Sequence, residues 1–167
     1  MSQATRPYAD GTKVAPEASR AEIERTLTRY GTTAFVYGTD ELRNTALVQF
    51  RADRGRIIRF LLPLPDRADY QDRRAANGRR VSGQSAYDAE VRRRWRSLAN
   101  AIKAKLDAVA TGIVSFEDEF LGHVVLPDDT TVGQWAGPQI ARAYASGAMP
   151  EALPGATSTA RQELTSP

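Results

Sequence analysis

Seven large side chains recur through the middle of this sequence at intervals that an α-helix brings onto one side. Tyr87, Val91, Trp95, Leu98, Ile102, Leu106 and Val109 are separated by 4, 4, 3, 4, 4 and 3 residues. They form one stripe on a helix of about six turns that ends near Gly112. A helix with such a stripe needs a second layer to cover it. The segments just upstream can supply one. Ala34–Tyr37, Ala46–Phe50 and Arg56–Leu62 are rich in β-branched and aromatic residues and read as strands. Alternation puts Ala46, Val48 and Phe50 on one face, while Arg56–Leu62 is apolar on both faces apart from Arg59 and is stopped by Pro63 and Pro65. Gly38–Glu41 reads as the first connection. Ala52-Asp53-Arg54-Gly55 reads as a tight hairpin turn in which Gly55 is free to take a positive φ.

Local signals set the remaining elements. Ser19 and Glu22 have the spacing of a capping box, Ile23, Leu27 and Tyr30 follow on one helical face, and Gly31 offers a left-handed end. Ser85 with Asp88 at the third helical position reads as the start of the long helix. Ser115 with Asp118 reads as the start of a short helix carrying Phe116, Phe120 and Leu121. Val124–Leu126 is extended, and Thr131 with Gln134 caps a last helix that contains Pro138 and uses Trp135, Ile140 and Tyr144 as packing anchors. The expected class is α+β: an N-terminal helix, a three-stranded antiparallel meander, a long amphipathic helix, then short C-terminal helices. Residues 1–17 read as a flexible arm, 18–149 as a single domain, 66–84 as an exposed basic loop within it, and 150–167 as a disordered tail.

Composition removes several kinds of chemistry. With no cysteine and one histidine among 167 residues, disulfide scaffolds, thiolate metal sites, thiol nucleophiles and multi-histidine sites are excluded within one chain. The opening residues lack an apolar h-region, and no apolar run approaches the roughly 20 residues that span a bilayer. The expectation is a cytoplasmic chain with no membrane partner and no cofactor.

The net charge of +3 hides a strong asymmetry. Residues 1–50 are neutral, residues 51–106 carry 15 basic against 6 acidic side chains for a net of +9, and residues 107–167 carry 2 against 8 for a net of −6. Such a split marks either an anionic partner or two segments that attract each other. Only Lys13, Lys103 and Lys105 are lysines, an arginine bias that a GC-rich genome explains most simply.

The basic candidates are Arg73, Arg74, Arg79 and Arg80 in the loop, and Arg92, Arg93, Arg94, Arg96, Lys103 and Lys105 on the helix. Four guanidinium groups within five residues near a helix N-terminus repel one another and oppose the helix dipole, and phosphates would relieve both costs. The competing reading pairs these cations with the acidic last third, within one chain or in a homo-oligomer joined through basic and acidic surfaces. Phe35, Tyr37, Phe50 and Phe60 could offer stacking faces to a single strand, but strand periodicity directs them to the core. Glu119 and His123, four residues apart on one helical face, are the weak catalytic candidates, and Glu117 and Asp118 diverge from them. No complete metal site, phosphate loop, dinucleotide fingerprint or nucleophile elbow is present.

Two resemblances add context. The α-β-β-β-α order over about residues 19–110, with Arg92-Arg93-Arg94-Trp95-Arg96 opening the second helix, resembles the double-stranded-RNA-binding domain. The family's lysine-rich motif is absent here and the loop before the helix is longer. Tyr8–Val14, Ser19–Glu24, Arg29–Gly31 and Arg59–Pro65 resemble small bacteriophage- and prophage-encoded proteins over most of the chain. That second resemblance implies a bacterial host cell and a role in phage DNA metabolism or in inhibiting a host defence protein. The functional expectation is a non-enzymatic nucleic-acid-binding accessory protein, with DNA favoured over RNA. The alternatives are a protein-interaction module using residues 117–129 and the last helix, and then a metal-dependent nuclease.

Overall fold

The computed structural model describes residues 12–148 apart from 33, 53, 54, 75–77 and 79. Its elements in order are α1 (Pro16–Arg29), β1 (Phe35–Asp40), β2 (Thr45–Arg51), β3 (Ile57–Pro63), a 3-10 turn (Arg67–Asp69), β4 (Arg73–Arg74), β5 (Arg80–Val81), α2 (Gly83–Ala110), α3 (Phe116–Phe120), a second 3-10 turn (Leu121–His123) and α4 (Val132–Ser146). The expected α+β order of helix, meander, long helix and short helices is present. The arm and tail expectations for 1–11 and 149–167 lie outside the described residues.

β1, β2 and β3 form an antiparallel meander in that order. Its register fixes the core. Phe35, Phe50 and Ile58 lie in one cross-strand row and Tyr37, Val48 and Phe60 in the next. The same face carries Ala46 and Leu62, and all of these side chains meet Ile23 and Leu27 of α1 and Trp95, Leu98, Ile102 and Leu106 of α2 in one cluster. Phe50 and Phe60 are therefore core, as the alternation predicts, and Phe35 and Tyr37 are half-buried with their rings packed against it rather than laid out as a stacking platform. Burying a side chain of this size removes it from water for about 1.5–3 kcal/mol.

α1 and α2 run in the same direction. Glu22 bonds Arg96 at the middle of both helices, and the Tyr30 hydroxyl donates to Asp107 near their ends. The guanidinium run around Trp95 thus lies well inside α2 rather than near its N-terminus as expected. Just before the Glu22–Arg96 pair along both helices, Arg20 lies over the Trp95 ring at 5.3 Å. Beyond α3, the short run at Val124 and Val125 joins the free edge of β3, with Ile58 bridging Val124 and the Val125 amide donating to the Ile57 carbonyl at 2.8 Å.

Several expected boundaries are corrected. α1 starts at Pro16 rather than at a Ser19 cap. Proline supplies a preset φ at N1, and Ser19 lies inside the helix, fully buried, its hydroxyl without a partner among the described residues. The end of α1 agrees with expectation: Gly31 takes φ +83°, and Thr32 and Gly31 donate to the Leu27 and Thr28 carbonyls. Gly38, Thr39 and Asp40 belong to β1, because their cross-strand partners Leu47, Ala46 and Thr45 continue the ladder. The turn lies at Glu41–Asn44 instead. α2 starts at Gly83, where the Ser82 hydroxyl accepts from the Ser85 amide, three residues before the expected cap.

The last helix departs furthest in its packing. Thr131 and Gln134 form the expected reciprocal box, and Pro138 sits within a continuous helix. Yet no residue of α4 is buried, and Trp135 and Tyr144, the expected anchors, are 41 % and 88 % exposed. α4 is joined to the rest of the fold at its start, where the Val132 amide donates to the Val124 carbonyl at 2.9 Å and Gly133 approaches Gly122 so closely that a Cβ would meet the Gly122 carbonyl oxygen at 2.8 Å.

Candidate nucleic-acid interface

Residues 66–84 are not the structureless loop their polarity suggests. The Asp66 carboxylate caps a 3-10 turn by accepting from the Ala68 amide at 2.9 Å. The chain then forms a two-stranded ribbon in which Arg73 pairs with Val81 and Arg74 with Arg80. The ribbon is tied to the start of α2 at several points. Asp72 accepts from the Gly83 amide at 2.9 Å and from Arg80 at 2.8 Å, which holds its carboxyl below the usual aspartate range. Tyr70 meets Tyr87 edge-on at 5.8 Å, and Arg67 lies 4.5 Å over the Tyr87 ring while donating to Gln84 at 2.9 Å. Gly83 is required here because a Cβ would stand 2.3 Å from the Tyr70 carbonyl oxygen. Apolar periodicity gave no sign of this ribbon. The signals for it were Gly83 and the Asn77-Gly78 dipeptide.

The four arginines around Trp95 are mostly committed to the fold. Arg93 and Arg94 both clamp Glu90, at 2.7 Å and 2.8 Å through their Nε atoms, and Arg94 also donates to the Pro63 carbonyl at 2.6 Å. The Arg93 bond is the main reason the Glu90 carboxyl is held below its ordinary value, against the opposing effect of burial. Arg96 bonds Glu22 across the helix pair. Arg92 alone of the four has no ion-pair partner among the described residues. The sequence exaggerated the repulsion in this run because Glu22, which relieves part of it, is 74 residues away.

Lys105 is likewise committed. Its ammonium donates to the Glu119 carboxylate at 2.6 Å and to the Glu119 carbonyl at 3.2 Å, beside the Phe120 ring. With Arg56–Glu117 at 2.6 Å and Arg59–Asp129 at 2.5 Å, three cations of the basic segment are neutralised by the acidic last third. Lys103 is exposed and has no ion-pair partner among the described residues. Arg92, Arg96 and Lys103, at i, i+4 and i+11, share one stripe of α2 on the side facing α1. The anchor of the ribbon, Gly83 and Tyr87, falls on the opposite flank of the same helix. Of the basic candidates, those without an ion-pair partner among the described residues thus form two groups, Arg73 and Arg74 on the ribbon and Arg92 with Lys103 on the helix, while Arg80 is paired with Asp72. Arg79 lies outside the described residues.

The weak catalytic pair is occupied by the fold. Glu119 holds Lys105, and His123 stacks on Phe60 at 4.0 Å between ring centres. Burial and the nearby Lys105 push the imidazole below its ordinary value. No group of three or more histidine, cysteine or acidic side chains that could hold a metal ion exists among the described residues. No described helix is long and apolar enough to cross a membrane.

No protein-family model, curated protein or solved structure matches this chain.

Proposed function

We propose that this chain is a non-enzymatic nucleic-acid-binding accessory protein that grips phosphates through its basic ribbon, with Arg92 and Lys103 as a second contact. The observation that carries this reading is the contrast in charge pairing. Most middle-segment cations that lie against the core are matched by a carboxylate, whereas Arg73 and Arg74 stand exposed on an anchored element. The bacteriophage and prophage resemblance of Arg59–Pro65 and the other quoted segments suits a role in phage DNA metabolism.

Electrophoretic retardation of single- and double-stranded DNA and RNA at two salt concentrations tests it. Binding should weaken steeply with salt, with a slope of about 0.9 in log affinity per log salt for each duplex phosphate neutralised. Replacing Arg73, Arg74, Arg92 and Lys103 together by Ala should abolish the shift. No shift at low salt, or an unchanged shift in this folded variant, refutes the proposal. A second reading, a protein-interaction module, is favoured by the exposure of Trp135, Ile140 and Tyr144 on α4. It predicts no nucleic-acid shift, with Trp135 fluorescence responding to a protein partner.

A further inference from the structure

We infer that the β4–β5 ribbon enters the major groove of B-form duplex DNA. This rests on the nucleic-acid reading above and narrows it to one ligand and one mode of contact.

The first argument is the distribution of arginines over the two faces of the ribbon. Neighbouring residues in a strand point to opposite faces, so Arg73 and Arg74 project on opposite sides. A ribbon laid flat on a single phosphate backbone would use only one of those faces. Cations on both faces suit a slot with negative charge on each wall, and a nucleic-acid groove is such a slot. The second argument is a cost within the ribbon. Arg74 and Arg80 are direct cross-strand partners, which places two like charges side by side. Asp72 offsets only one of them, through its bond to Arg80. Anionic oxygens near the Arg74–Arg80 pair turn that cost into a gain, because one oxygen can accept from both guanidinium groups.

The third argument is mechanical. Both strands are exposed apart from a half-covered Val81, so the ribbon contributes little to the core. It is nonetheless fastened to α2 by the Asp72–Gly83 bond, the Tyr70–Tyr87 contact and the forced glycine at position 83. An element that stabilises little but is firmly held is suited to display.

Dimensions select the groove. Paired strands lie about 4.8 Å apart, and with side chains a two-stranded ribbon fits a major groove about 12 Å wide but not a minor groove of about 6 Å. The major groove of A-form RNA is too deep and narrow for side chains to read. A single strand has no facing walls, and the described residues of β4 and β5 carry no aromatic side chain for bases to stack on.

Fluorescence anisotropy with the full chain tests this on three labelled duplexes of equal length: DNA, DNA whose cytosines are replaced by glucosylated 5-hydroxymethylcytosine, and RNA. The glucose fills the major groove and leaves the backbone charge unchanged. The expected result is at least about tenfold weaker binding to the filled DNA and to the RNA than to plain DNA, the size of one good groove contact. Arg73→Ala/Arg74→Ala should bind plain DNA more weakly and lose the discrimination, with an unchanged circular dichroism spectrum. Equal wild-type affinity for plain and filled DNA overturns groove entry while leaving the phosphate-binding function standing. Equal or tighter binding to RNA overturns the choice of B-form DNA. Discrimination retained in the double variant overturns the role of the ribbon. Binding to none of the duplexes at low salt refutes the inference, and to no single strand either refutes the function beneath it.

Discussion

Gly83→Ala separates two opposing effects at the joint between ribbon and helix. A glycine in a helix is ordinarily a weakness, and Ala in its place gains up to about 1 kcal/mol through helix propensity and a less flexible unfolded chain. At position 83 the new Cβ would lie 2.3 Å from the Tyr70 carbonyl oxygen and 2.8 Å from the Tyr70 and Gln71 carbonyl carbons. These are backbone atoms, so no side-chain rotation clears them. The ribbon base must retreat by roughly 1 Å to restore ordinary contact, an overpacking cost of about 1–3 kcal/mol. That retreat also pulls Asp72 from the Gly83 amide and disturbs the Tyr70–Tyr87 contact. The cost outweighs the gain, for a net loss of about 1–2 kcal/mol, or roughly 2–8 °C in Tm for a chain of this size. Thermal and urea unfolding of Gly83→Ala beside the wild type measures it. A Gly83→Ala protein as stable as the wild type would refute the reasoning, since it would mean the ribbon base does not press on α2.

Two further outcomes follow from packing and charge. His123 has a depressed pKa through burial against Phe60 and the charge of Lys105, so below the ordinary value of 6.5 the unfolded chain takes up the proton first. Its contribution is complete above that value and is lost as pH falls through the folded-state value. Wild-type Tm should therefore drop between pH 7 and 5 more steeply than that of His123→Phe, and equal slopes would contradict this. α4 buries none of its residues and contains two glycines and Pro138, so its amides should exchange with solvent orders of magnitude faster than those around Ile102 and Leu106 in α2. Equal protection of the two helices by hydrogen–deuterium exchange would show that α4 is held by more than the contacts at its start.

How much of the fold was legible follows from how local each cause is. The stripe from Tyr87 to Val109 and the alternation in Ala46–Phe50 record burial directly, and the structure buries Trp95, Leu98, Ile102 and Leu106 against Ala46, Val48 and Phe50. The Thr131–Gln134 box and the Gly31 and Gly112 helix ends are also local, and each is present. Ser19 misled because a capping pattern needs only four residues, while the competing Pro16 start follows from a residue outside that window. Trp135 and Tyr144 misled because apolar spacing states what a helix could bury and not whether a neighbour is there to cover it.

For the candidate site, the sequence by itself determined that positive charge concentrates in residues 51–106 and negative charge in 107–167, since counting needs no coordinates. Only the tertiary structure decided which charges are spent. Arg59 meets Asp129 across 70 residues, Arg96 meets Glu22 across 74, and Lys105 meets Glu119 on the next helix. Ion pairing is a matter of a few ångströms, and distance along a chain says little about distance in space once the chain has packed. The same holds for Arg73 and Arg74. Their charge is written in the sequence, while their display on an anchored ribbon depends on how closely Tyr70 approaches Gly83.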